Sequence, residues 1–259
     1  MRYAIYYLFF LSLSIYAQDS IKTIPLQKIK FKADKIIAVD NFKAIYYIND
    51  NVFNKKTEHK NITYNNFQLG NLESVNTFNP LKINLFYKDF NTVVILDNRL
   101  AEVFKIDFNT QLPYKNVSHI STGYDNTLWV FNQDYQRLEL FDYKSKTTRA
   151  KTIPVQSAVL DIKSNYNYCW LLTQKHLYIY NYFGSLLKKI KNEGYQEFVN
   201  YNENLILKKG NTLFYLKQNS DEIKPVKTLN LLINQFFVTN QTLYIYSTKT
   251  LHELQLKIE

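Results

Sequence analysis

An all-β fold, made of one four-stranded sheet written over and over, is what this sequence predicts. Three observations carry the prediction. Short apolar stretches recur about every 40 residues along the 259-residue chain. Its composition suits packed strands, with 22 Tyr and 18 Phe against 5 Gly and 5 Pro. Turn-forming Asp and Asn fall at the same point of several repeats.

The period shows on two markers. The first residues of the strongest apolar stretches are Ile45, Leu85, Leu128, Trp170, Leu205 and Leu243, with steps of 40, 43, 42, 35 and 38 residues. The stretches that follow begin at Val52, Val93, Leu138, Leu177, Leu213 and Leu251, with steps of 41, 45, 39, 36 and 38. Two markers that step together define a unit of fixed internal layout.

Each unit holds two further strand-like pieces. Upstream lie "KIIAVD" (35–40), "ESVNTF" (73–78), "VSHIST" (117–122), "VLDIKS" (159–164), "YQEFVN" (195–200) and "NQFFVT" (234–239). Downstream lie more polar pieces rich in lysine, "RLAEVFKIDF", "KTTRAKTI", "LLKKIKN" and "KPVKTL". A strand covered on both faces loses its period-2 alternation and reads as a continuous apolar run, as "CWLL" and "LYIY" do. A half-solvated outer strand alternates with Lys, and charge there discourages edge-to-edge pairing.

At the end of the third strand stand Asp97, Asp142 and Asn181, placed to bond back to the backbone two residues on. Gly184 and Gly210 supply the positive φ of tight hairpins. The last unit stops after its third strand, while "IKTIPLQKIKF" (21–31) precedes the first unit and belongs to none. If that strand completes the last sheet, a ring closes. The expectation is therefore a single β-propeller of six four-stranded blades, with the N-terminal strand closing the last one. The first blade is the weakest, since "FNKKTEHKNITYNN" (53–66) is polar. At "LWVFNQDYQRLELFDYKSK" and "HLYIYNYFGSLLKKI" the chain resembles propeller repeats of the NHL and YVTN type. That resemblance implies a toroid that binds through either face or its central channel.

The first residues, "MRYAIYYLFFLSLSIYAQDS", carry one positive charge at Arg2 and then a 13-residue uncharged run from Ala4 to Tyr16. A span needs about 20 residues, so this is the pattern of a secretory signal peptide cut after Ala17. Residues 1–17 are the expected leader and 18–259 the propeller domain. The single cysteine, Cys169 in "YNYCWLL", permits no internal disulfide and is expected to pack as a small apolar side chain. The net charge of +10 comes from scattered lysines, densest in 144–151 and 186–192. Such charge admits acidic ligands, but an exported chain is not expected to meet nucleic acid.

No catalytic constellation stands out. His59, His119, His176 and His252 are isolated, with His176 and His252 expected at strand starts, and no HxH, HExxH, GxSxG or phosphate-loop motif occurs. A calcium-dependent propeller hydrolase or lyase would need acids and amides on inner strands, and the candidates are Asp161, Glu197, Asn76 and Asn200. The sequence assigns no catalytic residue, no metal ligand and no cofactor. Its leading functional expectation is a non-catalytic, exported scaffold of the bacterial envelope, in the periplasm or at the cell surface. The partners would be other envelope or outer-membrane proteins. A propeller that binds glycan or another small ligand at the channel mouth is the alternative beside the hydrolase or lyase.

Overall fold

Twenty-four strands and two short 3-10 turns make up the described residues, 20–258, of a computed structural model. The expected leader, 1–17, lies outside them. β1 (Ile21–Lys30) comes first and stands apart from its sequence neighbours. Four strands then form blade 1, namely β2 (Lys35–Val39), β3 (Ile45–Asn49), β4 (Val52–Lys56) and β5 (Asn61–Tyr64). Blade 2 follows with β6 (Ser74–Asn76), β7 (Ile83–Tyr87), β8 (Thr92–Leu96) and β9 (Glu102–Asp107). Blade 3 holds β10 (Val117–Thr122), β11 (Thr127–Asn132), β12 (Arg137–Asp142) and β13 (Thr147–Lys151). Blade 4 holds β14 (Val159–Ser164), β15 (Tyr168–Thr173), β16 (His176–Asn181) and β17 (Leu186–Lys191). Blade 5 holds β18 (Glu197–Tyr201), β19 (Asn204–Lys209), β20 (Thr212–Leu216) and β21 (Ile223–Lys227). β22 (Gln235–Thr239), β23 (Thr242–Ser247) and β24 (Thr250–Lys257) begin blade 6, and β1 is its fourth strand.

All six expected inner strands are present. β10, β14, β18, β22 and β2 touch in that order around the axis. Burial follows the predicted gradient. Every residue of β7, β8 and β11 is buried, whereas β13 alternates between exposed and half-buried positions. Apolar cores lie between blades rather than within them. Trp129, Phe131 and Leu140 of blade 3 meet Cys169, Leu171 and Tyr180 of blade 4. Trp170 and Leu172 of blade 4 meet Phe198, Leu205 and Leu207 of blade 5. The sixth junction is the ring closure, where Phe237, Tyr244 and Leu251 pack on Ile36 and Val39 of blade 1. Six clusters fill six junctions, so the toroid is closed.

β1 pairs antiparallel with β24 from Lys22↔Lys257 to Lys30↔Thr250, with a bulge between Pro25 and Gln27. Proline lacks an amide hydrogen, so an outermost strand at a bulge suits it. The start of β1 also pairs in parallel with β21, at Ile21↔Val226 and Lys22↔Lys227. One strand thus ties blades 5 and 6 together as well as closing the last sheet.

Turn chemistry matches the expectation. The Asp97 carboxylate accepts from the Arg99 and Ala101 amides, Asp142 from Lys144 and Ser145, and Asn181 from Phe183 and Ser185. Gly184 and Gly210 have φ of 79° and 56°. Less expected are four two-residue hairpins in which both residues have positive φ and neither is glycine. They are Asp50-Asn51, Asn202-Glu203, Asn240-Gln241 and Thr248-Lys249. A β-branched residue is poorly suited to Thr248's φ of 46°. Replacing this pair by Asn-Gly (T248N with K249G) is expected to stabilise the protein by about 1 kcal/mol and raise Tm by roughly 2–4 °C. An unchanged or lower Tm would show that the turn is not strained.

Several boundaries differ from the sequence reading by one to three residues, and two have a clear local cause. "KTTRAKTI" extends to Ile153, yet β13 ends at Lys151. Thr152 instead turns its hydroxyl to accept from the Leu138 amide at 3.0 Å, and Pro154 has no amide hydrogen to extend the ladder. His252 is the third residue of β24 rather than its start, because the hairpin closes earlier, at Ser247↔Thr250.

Candidate binding faces

Strand direction sorts the loops onto two faces. Blade-to-blade crossovers and the turns between second and third strands share one, called here the crossover face. Turns between first and second strands, and between third and fourth, share the other, the hairpin face.

The crossover face carries exposed apolar side chains. Phe67, Leu112, Ile153 and Leu232 sit on four different crossovers and are 78, 93, 80 and 61 % exposed. Phe90 and Tyr135, on the turns of blades 2 and 3, are about half exposed, and the Arg137 guanidinium lies 4.7 Å from the Tyr135 ring centroid. Crossovers have no strand alternation to satisfy, so these side chains are not placed outside by register.

At the channel end nearer this face, His119, Asp161 and Glu197 lie on β10, β14 and β18. The first two calcium candidates are engaged. Asp161 accepts from the Lys163 ammonium at 2.6 Å, the Ile162 amide at 2.8 Å and the Phe198 amide at 3.3 Å. Glu197 accepts from the Lys208 ammonium at 2.5 Å. Asn76 donates to the Ser121 hydroxyl at 3.1 Å and accepts from the Phe78 amide at 3.0 Å. Asn200 alone has an amide that bonds no other described residue, and it lies toward the opposite mouth. The four therefore do not converge. Among the described residues no three His, Cys, Asp or Glu side chains gather where they could hold a metal ion. Burial pushes the His119 imidazole below its ordinary value, with Asp161 opposing and Lys88 reinforcing that shift. Its Nδ1 lies 2.9 Å from the buried Ser118 hydroxyl. Cys169 is fully buried, and burial raises its thiol well above the ordinary value, so it packs as a small apolar group.

The hairpin face opens into a cavity of about 800 Å³ at the other channel mouth. It is lined from blades 1, 2, 4, 5 and 6, with Asn41, Phe42, Phe78, Asn200, Tyr201 and Asn240 among its walls. On the rim the Phe78 and Tyr166 rings meet edge to face with centroids 5.1 Å apart, and Asn79 donates to the Tyr166 hydroxyl at 2.9 Å.

Sequence reasoning missed a buried ion pair in blade 3. Glu139, 1 % exposed, accepts from the Lys115 ammonium at 2.5 Å and from Arg137 Nε and Nη2 at 3.0 and 2.9 Å. Burial raises the Glu139 carboxyl, but hydrogen bonds from Lys115 and Arg137 more than offset it and hold it below the ordinary value. The only signal in the sequence was a glutamate inside the apolar run "LELF".

No protein-family profile and no curated protein matches this chain. Many solved structures share its fold. Virginiamycin B lyase from Staphylococcus aureus, solved as an inactive variant with quinupristin, superposes with a TM-score of 0.62 at 12 % identity, covering 88 % of this chain and 83 % of that one. The Pan2 WD40 domain from Neurospora crassa gives 0.59 at 8 % identity, covering 86 and 74 %. The fold is a β-propeller. PorZ of Porphyromonas gingivalis, described as a surface component of the type-IX secretion system, gives 0.54 at 14 % identity over 87 % of this chain and 32 % of its own. At such identities the likeness is one of fold. Among the described residues no helix is long and apolar enough to cross a membrane.

Proposed function

We propose that this propeller is an exported, non-catalytic scaffold that holds other proteins of the bacterial cell envelope, with the crossover face as its docking surface. The observation that carries the reading is the set Phe67, Leu112, Ile153 and Leu232, held out from four crossovers. Burying one such side chain against a partner is worth about 1.5–3 kcal/mol, and a few buried anchors carry most of an interface's energy. Export rests on the leader pattern of residues 1–17. PorZ offers an instance of a propeller-bearing protein at a bacterial surface. The hydrolase or lyase alternative has less support, because lysines already engage Asp161 and Glu197.

Crosslinked capture from native cells tests the proposal. The unaltered protein is expected to recover a discrete envelope protein, and Leu112→Asp with Ile153→Asp should cut that recovery about tenfold while leaving Tm unchanged. Recovery that ignores the two substitutions would move the docking surface elsewhere. Empty capture, alongside ester or lactone hydrolysis by the purified protein, would overturn the scaffold reading.

A further inference from the structure

We propose that the hairpin-face cavity is a binding site for a neutral oligosaccharide. The inference does not depend on the scaffold reading, since the two surfaces lie on opposite faces.

Size is the first argument. Ligand pockets run to about 300–1,000 Å³, and this one, at about 800 Å³, has room for two or three sugar rings. Its charge is the second. Four charged residues line the cavity, two lysines and two acids, and each is already engaged. Asp40 accepts from the Phe42 and Ala44 amides and the Tyr46 hydroxyl. Lys163 is held by Asp161, Glu203 accepts from Gln218 and Asn167, and Lys55 donates to the Asn98 carbonyl. Two lysines and two acids balance in number, and their polar atoms are already hydrogen-bonded, so the cavity presents no excess of one sign to select a charged ligand.

Amide side chains remain. Asn41, Asn200 and Asn240 line the cavity, and their side chains bond no other described residue. A primary amide both donates and accepts, which is the pattern that a pair of neighbouring hydroxyls presents in return. Turn chemistry accounts for Asn240, whose φ is 48°, and for Asn202, at 44°. It does not account for Asn41, which keeps negative φ, or for Asn200, half-buried on inner strand β18. A half-buried amide without a partner in the protein is costly unless water or a ligand meets it.

Aromatic groups complete the site. Phe42, 91 % exposed, stands on the rim, and Phe78 and Tyr201 are further aromatic walls. A pyranose ring has apolar C–H faces and a rim of hydroxyls. That matches a bowl with amides around its wall and flat rings at its lip. An extended peptide would want a linear groove or a long strand edge, and the free edges here belong to inner strands of only three to six residues arranged around an axis.

Calorimetry of the full chain against cellohexaose, chitohexaose, mannohexaose and maltohexaose tests this. Hyaluronan hexasaccharide and a ten-residue Gly-Ser peptide serve as counter-probes. At least one neutral sugar is expected to bind. Asn200→Val and Phe42→Ala should each weaken it about tenfold. Asn240→Gly, which keeps the turn conformation while deleting the amide, should weaken it by a smaller factor. Tm should hold in all three, and Leu112→Asp with Ile153→Asp should bind the sugar normally. If none of the four sugars binds, if the variants bind as tightly as the parent, or if the acidic sugar or the peptide is preferred, the proposal is wrong.

Discussion

Deleting residues 20–30, and with them β1, is expected to abolish the folded monomer at room temperature. β1 covers the outer edge of β24 through eight registered positions. At a net 0.5–1.5 kcal/mol per backbone hydrogen bond, that ladder contributes on the order of 5–10 kcal/mol, comparable with the whole stability of a domain. The loss would not stay local. β24 supplies Leu251 to the junction with blade 1, and Leu254 and Leu256 to the junction with blade 5. Without its neighbour, β24 becomes a free apolar edge in the middle of the closure, a template for pairing with other chains. Size-exclusion chromatography should show aggregate or swapped oligomer in place of monomer. A synthetic peptide of residues 20–31 supplied in trans should restore part of the monomer. A truncated chain that stays monomeric with an unchanged Tm would mean that β1 is an accessory strand.

Glu139→Ala should cost about 3–5 kcal/mol, because it strands the Lys115 ammonium, whose side chain is 5 % exposed, in the interior. Urea unfolding followed through the two tryptophans, both buried at blade junctions, reads the change. Glu139→Leu combined with Lys115→Met removes both charges and should recover most of the loss. If the double variant is no better than Glu139→Ala, the penalty comes from packing rather than charge. Acid gives a second readout. A carboxyl held below its ordinary value stabilises the fold fully above the unfolded value of 4.5, and that contribution disappears as pH falls through the lowered folded value. Asp142 is shifted in the same direction: burial raises it, but the Ser145 amide and the Arg149 guanidinium more than offset this. Parent stability should therefore decline between about pH 5 and pH 3, and Glu139→Ala should flatten that decline.

Much of the architecture was legible because a propeller repeats one physical problem six times. Each blade needs buried central strands, a solvated outer strand and a turn after the third strand, so "LYIYN" and "LELFD" carry the same information in different blades. Closure was legible from one spare strand before the first unit and one strand missing from the last. The faces were not. Leu112 is a single apolar letter in a loop and Ile153 reads as the end of a strand, and whether such a letter is buried depends on the crossover path. Lys115 and Glu139 are 24 positions apart, and nothing in the repeat says that a crossover lysine folds under the blade it precedes. The hairpin-face cavity is assembled from five blades, so no local pattern encodes it. The calcium candidates were placed on the right strands. Their side chains escaped the reading, because the lysines that hold Asp161 and Glu197 come from their own blades, two and eleven residues away.

A disulfide between the two ends of the chain tests the closed ring most directly. Lys28 and His252 are direct partners across β1 and β24. With both replaced by cysteine, mild oxidation should link them in nearly every monomer, raise Tm and leave the protein monomeric. Peptide mapping by mass spectrometry should find the new bond while Cys169 stays reduced. Cysteines that remain free in the folded monomer, or that link only between chains, would mean that the ends do not share a blade.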